Sequence, residues 1–93
     1  MKLILDDLGV IVCEHIAKDQ CDVCVASRSE PVAPEDSGWQ FLCGKPDEDE
    51  FKAAIWSVKE ILAYDSSLAP WIDAPFGTKI EKSSNALIWR KAA

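Results

Sequence analysis

Four cysteines are the residues of this chain whose type and spacing could most readily bind a metal. Cys21 and Cys24 have the CxxC spacing of a zinc knuckle, and Cys13 and Cys43 could complete a set of four ligands. Zinc modules, however, usually supply their ligands from two close pairs, and only one pair is close here. In an extended strand, Cys21 and Cys24 would also point to opposite faces. We therefore expect buried apolar cysteines, no metal site and no cofactor.

His15 is the only histidine, and it follows Cys13 by two residues. If this segment were a strand, the two side chains would share a face and could act as base and nucleophile. Nothing in the sequence supplies a third group to orient the histidine, so a histidine at the surface or in a turn is favoured. Because no catalytic motif appears elsewhere, we predict that the chain is not an enzyme.

Two acidic segments are candidates for binding a cation or a partner. The run from Asp47 to Glu50 lacks the spaced oxygen ligands and the central glycine of a calcium loop, and a helix cap explains it better. The other segment is a proline-containing loop, Ser29–Ser37. The acidic residues predicted to contact a protein partner are Glu30, Glu35, Asp36, Asp47, Glu48 and Asp49.

The charge of the chain is negative and unevenly distributed. The net charge is -6, and residues 1–50 contain 12 acidic and 4 basic side chains. Phosphates would repel such a surface, which argues against nucleic acid and anionic membranes as partners and favours a basic protein. The first apolar run is short and ends at Asp6, and no segment approaches the roughly 20 apolar residues of a membrane span. We therefore expect a cytoplasmic protein with reduced thiols.

Short β-branched and aromatic runs predict the strands. They are Lys2–Leu5, Val10–Cys13, Asp22–Arg28, Trp39–Cys43, Thr78–Lys82 and Ala86–Arg90. Val10–Cys13 is continuously apolar, which predicts burial on both faces. Trp39, Phe41 and Cys43 alternate with Gln40 and Leu42 and predict a core face, and Gly38 is expected to be a hinge at the strand end. The polar segment Glu14–Gln20 is expected to turn the chain.

One principal helix is predicted to begin at Asp47, and a single further turn is predicted around Leu68–Ile72. The apolar stripe of the principal helix consists of Phe51, Ala54, Ile55, Val58, Ile61 and Leu62. Trp56 would lie about 150° from the centre of this stripe, at 100° per residue. It would then either pack under another element or serve as an exposed anchor for a partner, and Trp71 raises the same question.

Two motifs in this order resemble a known family. The segment Asp36–Gly44 reads DSGWQFLCG and fits the pattern D-S-G-W-x-F-x-x-G. Asp65 and Leu68 then precede the segment Pro75–Thr78, which reads PFGT. These motifs resemble the bacterial immunity protein 33 domain family. The resemblance implies a small α+β domain that binds a toxin and blocks it without chemistry of its own.

Together these interpretations predict a single α+β domain spanning residues 1–93, with a small, mainly antiparallel sheet and one principal helix packed on one face. The predicted function is binding and neutralisation of a toxin of a bacterial polymorphic toxin system, with no cofactor. The acidic residues and Trp56 and Trp71 are the predicted contact residues. The alternative is a housekeeping regulatory or scaffold domain that has no toxin partner.

Overall fold

A computed structural model describes residues 7–44, 53–83 and 88–92. The strands are β1 (Gly9–Val12), β2 (Val25–Arg28), β3 (Asp36–Leu42), β4 (Ala54–Ser57), β5 (Lys79–Glu81) and β6 (Arg90–Lys91). The helices are α1 (Glu14–Asp19), α2 (Val58–Tyr64) and a 3-10 helix (Ser66–Trp71). The predicted strand Lys2–Leu5 lies outside the described residues. Of the predicted strand Ala86–Arg90, residues 88–90 are described, and only Arg90 belongs to a strand, β6.

The six strands form one mixed sheet in the order β4-β1-β3-β2-β5-β6. β1 and β3 are parallel, whereas the other neighbouring strands are antiparallel. The parallel pair has α1 and β2 between its strands in sequence, so the chain leaves β1, crosses on one side and returns beside it. Strands and short helices are combined in this way in an α+β fold, as the sequence predicts.

The helices cover one face of the sheet. Side chains from α1, α2 and the 3-10 helix belong to the same buried cluster as the inward-facing residues of the strands. The strand members of this cluster are Val10, Val12, Ala26, Trp39, Phe41 and Ile80, and the helical members are Ile16, Val58, Ile61 and Leu68. The alternate strand residues, including Ile11 and Ile55, therefore face away from the helices.

The prediction of a helix through Ala54–Ser57 is wrong, because these residues form β4 and pair antiparallel with β1. α2 begins at Val58, where Ser57 and Glu60 form a capping box. The Ser57 hydroxyl accepts a hydrogen bond from the Glu60 N–H, and the Glu60 carboxylate accepts one from the Ser57 N–H. The described helical residues are thus divided among three short segments, and one principal helix is not confirmed. The predicted cap at Asp47–Glu50 lies outside the described residues.

Other boundaries also differ from the predictions. Ile11 is 41% exposed, so the prediction that β1 is buried on both faces is wrong at this position. Glu14–Asp19 forms α1 rather than a simple turn. The predicted loop Ser29–Ser37 ends earlier, because β3 begins at Asp36. Trp39 and Phe41 are buried, as predicted, whereas Cys43 is only partly buried.

β3 contains a bulge opposite the start of β1. Gly9 is paired with Asp36 and Ile11 with Gln40, so that one residue of β1 faces three residues of β3 between these pairs. The Ser37 hydroxyl lies in the bulge and donates a hydrogen bond of 2.6 Å to the Gly9 carbonyl. The bulge therefore keeps a polar contact with β1 where the regular ladder is interrupted.

Gly38 lies inside this bulge rather than at a strand end, which corrects the hinge prediction. Its φ is +85°, and a Cβ atom at this position would overlap the Ser29 carbonyl oxygen. The Ser29 N–H also donates a hydrogen bond of 2.9 Å to the Gly38 carbonyl. Both the backbone angle and the close approach of the residue after β2 require glycine here.

Arg28 attaches the loop after the 3-10 helix to the sheet. Its Nε donates to the Ser37 carbonyl at 2.9 Å, and its Nη1 donates to the Ala74 and Ile72 carbonyls at 3.0 and 3.3 Å. The guanidinium carbon lies 4.9 Å from the ring centroid of Phe76. One side chain therefore connects the β3 bulge to the loop that carries the PFGT motif.

Candidate functional site

The acidic loop before β3 is shaped by one of its own carboxylates. Asp36 Oδ2 accepts a hydrogen bond of 3.1 Å from the Val32 N–H, and Asp36 Oδ1 accepts one of 2.9 Å from the Gly38 N–H. The Glu35 carbonyl accepts a hydrogen bond of 2.6 Å from the Gly9 N–H. These bonds hold the loop against the start of β1 and leave the side chains of Glu30 and Glu35 exposed.

An exposed apolar patch lies beside this loop, and it consists of Ile11, Val32 and Ile55. The register of β1 and β4 places Ile11 directly opposite Ile55 on the face away from the helices. Ile55 is 80% exposed and Val32 is 93% exposed. The three side chains, together with Glu35, line a shallow cavity of about 230 Å³. A group of exposed aliphatic side chains beside an acidic residue is typical of a protein-binding surface.

β4 adds a second feature to this region. In the described part of the chain, β1 is its only neighbour in the sheet, so β4 is an edge strand. An edge strand presents backbone N–H and C=O groups that an extended segment of a partner can pair with. Ile55 belongs to both the apolar patch and this edge strand, so a partner could contact the two together.

The two predicted tryptophan anchors are partly buried against the core. Trp56 is paired with Val10 across β1 and β4, and it lies edge-on to Tyr64 with ring centroids 5.5 Å apart. Trp56 and Ile55 alternate along β4, so Trp56 faces the helices and not the apolar patch. Trp71 is the last residue of the 3-10 helix. The predicted contact residues Asp47, Glu48 and Asp49 lie outside the described residues.

Three potential metal ligands meet at the other end of β1 and β3. The ligand atoms of Cys13, His15 and Cys43 all lie within 4.8 Å of one another. Cys13 precedes α1, His15 is its second residue, and Cys43 follows β3. The Cys13 N–H donates to the Phe41 carbonyl at 3.1 Å, which holds the start of α1 against the end of β3.

The spacing of the cysteines in the sequence did not identify this group. The CxxC pair, Cys21 and Cys24, lies outside the set of three. The pKa of the Cys24 thiol is raised mainly because burial disfavours the charged thiolate. The positive charge of Lys82 opposes this shift. His15 lies close to Cys43 because Cys13 is followed by the helix α1 and not by a strand. The helix turns His15 toward the end of β3.

Comparison with known proteins identifies the family of this chain. The sequence matches the Immunity protein Imm33 domain over residues 10–93. The chain belongs to the Imm33 immunity protein family. The match begins within β1 and includes all later described elements of the Imm33 domain, including the β3 bulge and the loop held by Arg28. No curated protein and no solved structure shows a significant match.

The β3 bulge explains why DSGW makes a structural signature in this Imm33 domain. Asp36 shapes the acidic loop, Ser37 bonds to β1, and Gly38 permits the close approach of β2. The Trp39 indole N–H donates a hydrogen bond of 3.0 Å to the Ile72 carbonyl in the core. The motif therefore builds the frame of the loop beside the apolar patch, whereas Ile11, Val32 and Ile55 form the exposed surface.

Within residues 7–44, 53–83 and 88–92 of the Imm33 domain, no helix is long and apolar enough to cross a bilayer.

Proposed function

We propose that this Imm33 domain is a non-enzymatic, cytoplasmic immunity protein that binds a bacterial toxin and neutralises it. The observation that carries this proposal is membership of the Imm33 immunity protein family over residues 10–93. An immunity protein of this kind acts by occupying a surface of its toxin, so the proposal requires a binding surface and no catalytic group.

The apolar patch and the acidic loop together are the proposed binding surface for the toxin. Ile11, Val32 and Ile55 provide exposed area that a partner can bury, at about 25 cal/mol for each Å² of apolar surface removed from water. Glu30 and Glu35 carry negative charge beside them, and the whole chain has a net charge of -6. A toxin with a basic surface would therefore associate faster and in a defined orientation.

The other predicted contact residues remain part of the proposal. Trp71 and Trp56 are partly buried, so each could present one edge of its ring while the rest of the ring packs against the core. Asp36 contributes mainly through the shape of the loop, because its carboxylate oxygens accept two backbone hydrogen bonds. Asp47, Glu48 and Asp49 would extend the negative charge.

Expression with a toxin encoded beside the gene tests the proposed function. The toxin is produced in bacteria with and without the full chain, and growth and co-purification are measured. We expect growth to be restored and the two proteins to purify together. If the chain neither binds nor neutralises any toxin encoded next to it, the immunity function is wrong, and a regulatory or scaffold role is favoured instead.

A pair of matched variants tests the proposed surface. Ile55→Lys places a positive charge in the apolar patch and should weaken toxin binding at least about tenfold, because a buried anchor contributes about 2 kcal/mol or more. Ile88→Lys is the control, since Ile88 is 81% exposed, close to the 80% of Ile55, and does not line the cavity. Titration calorimetry with the purified toxin measures both affinities. Equal affinities of the two variants would place the binding surface elsewhere.

A further inference from the structure

Two thiols and an imidazole converge where the end of β3 meets the start of α1. Cys13 is 2% exposed and His15 is 8% exposed, whereas Cys43 is partly exposed. His15 Nδ1 lies 3.4 Å from Cys43 Sγ. We propose that Cys13, His15 and Cys43 form a binding site for one Zn²⁺ ion, with the three side chains as protein ligands.

The chemistry of the donors favours this ion. Thiolate sulfur and imidazole nitrogen are soft or borderline ligands that prefer zinc to magnesium or calcium, which bind oxygen. Two thiolates would balance the charge of Zn²⁺, and binding would release the thiol protons of Cys13 and Cys43 to solvent. A buried ion is tolerated only when its charge is compensated in this way.

The distances are close to those that zinc requires. Zinc lies about 2.3 Å from a thiolate and about 2.0–2.1 Å from a histidine nitrogen, so two ligands at a tetrahedral angle are about 3.5–3.8 Å apart. The separation of 3.4 Å between His15 Nδ1 and Cys43 Sγ lies just below this range. The remaining separations, which extend to at most 4.8 Å, need only a small inward rotation of the side chains.

The surroundings provide access to the site. Cys43 and Gly44 line an open cavity of about 370 Å³, together with Cys24 and Lys82. An ion can therefore reach Cys43 from solvent, although Cys13 and His15 are buried. This cavity also leaves room for water as a fourth ligand, which three protein ligands require in a tetrahedral site.

A bound ion would connect α1 to β3 more strongly than the present contacts do. Cys13 and His15 belong to the start of α1, whereas Cys43 follows the last residue of β3. Because the three ligands come together only in the folded chain, zinc binding should raise the unfolding temperature in proportion to the logarithm of its concentration. The site is distinct from the apolar patch and does not depend on the proposed toxin.

Metal binding is tested on the full chain, reduced and stripped of metal with a chelator. Zn²⁺ is titrated in competition with a chromophoric chelator, and Co²⁺ is used as a spectroscopic probe of thiolate coordination. We expect one ion per chain, a sulfur-to-cobalt charge-transfer band and a higher unfolding temperature with zinc. Absence of saturable binding at one equivalent would overturn the proposal.

Variants identify the ligands. Cys43→Ser and His15→Gln should each lower zinc affinity at least about tenfold, as the loss of even an outer-shell partner can do. Cys21→Ser is the control, because Cys21 is partly exposed like Cys43 and lies outside the set of three. Circular dichroism checks folding, and Cys43→Ser remains informative if His15→Gln does not fold, since Cys43 is partly exposed. If Cys21→Ser weakens zinc binding as much as Cys43→Ser does, the assigned ligand set is wrong.

Discussion

Replacement of Gly38 by alanine is expected to lower the free energy of unfolding by about 2–5 kcal/mol. A left-handed backbone angle costs a non-glycine residue about 1–2 kcal/mol, and forcing an extra methyl group into a packed site costs about 1–3 kcal/mol. Gly38 has a φ of +85°, and its new Cβ would overlap the Ser29 carbonyl oxygen. The conflict is with backbone, so no side-chain rotation can relieve it.

Gly77→Ala is the matched control for this prediction. Gly77 also has a positive φ, +94°, but nothing lies within 4 Å of the position of its Cβ. Gly77→Ala should therefore lower the free energy of unfolding only by the cost of the left-handed backbone angle, about 1–2 kcal/mol. Urea unfolding followed by tryptophan fluorescence measures both variants. If the two lose the same stability, the close approach of Ser29 and Gly38 is not what requires glycine in the β3 bulge.

Strands β1 and β3 could be predicted because their residues carry local signals. The alternation of buried and partly exposed side chains in β3 and the β-branched run of β1 appear directly in the sequence. The exposure of Ile11 could not be predicted from the sequence. A continuous apolar run predicts two covered faces, and only the sheet topology shows that the helices cover one of them.

The sequence predicts a helix where β4 lies, because Ala54, Ile55, Val58 and Ile61 have helical spacing. Pairing with β1 overrides this pattern, since β4 gains a hydrogen-bonded partner and places Ile55 opposite Ile11. The sequence did contain a signal of the true helix start, because Ser57 and Glu60 have the spacing of a capping box. Ile and Trp at positions 55 and 56 also favour a strand before that cap.

The candidate sites were predictable only in part. Glu30 and Glu35 could be placed in an exposed loop by its prolines, and the structure confirms their exposure. The apolar patch joins β1, β4 and the acidic loop, so its three residues become neighbours only after the strands pair. The group of Cys13, His15 and Cys43 likewise depends on the crossing of α1 over the sheet.

Replacement of Arg28 by methionine is expected to lower the free energy of unfolding by about 3 kcal/mol. Hydrogen bonds that involve a charged group contribute about 1.5–3 kcal/mol, and Arg28 donates to the carbonyls of Ser37, Ile72 and Ala74. Methionine retains much of the aliphatic packing but leaves these partly buried carbonyls without that donor. The loop from Ile72 to Gly77 should loosen, and the fluorescence of the nearby Trp71 should report the change.

Arg28→Lys separates the role of charge from that of geometry. Lysine keeps the positive charge, but its compact ammonium cannot span the β3 bulge and the loop as the planar guanidinium does. We therefore expect Arg28→Lys to lose most of the stability that Arg28→Met loses.

Arg90→Met controls for the general loss of an arginine. The exposed Arg90 forms an ion pair of 3.8 Å with Glu81, and such surface pairs contribute about 0–1 kcal/mol. Urea unfolding should thus give wild type and Arg90→Met similar free energies of unfolding. Both Arg28 variants should have clearly lower free energies of unfolding. A stable Arg28→Lys would show that positive charge over the Phe76 ring, rather than the bridging hydrogen bonds, holds the loop to the sheet.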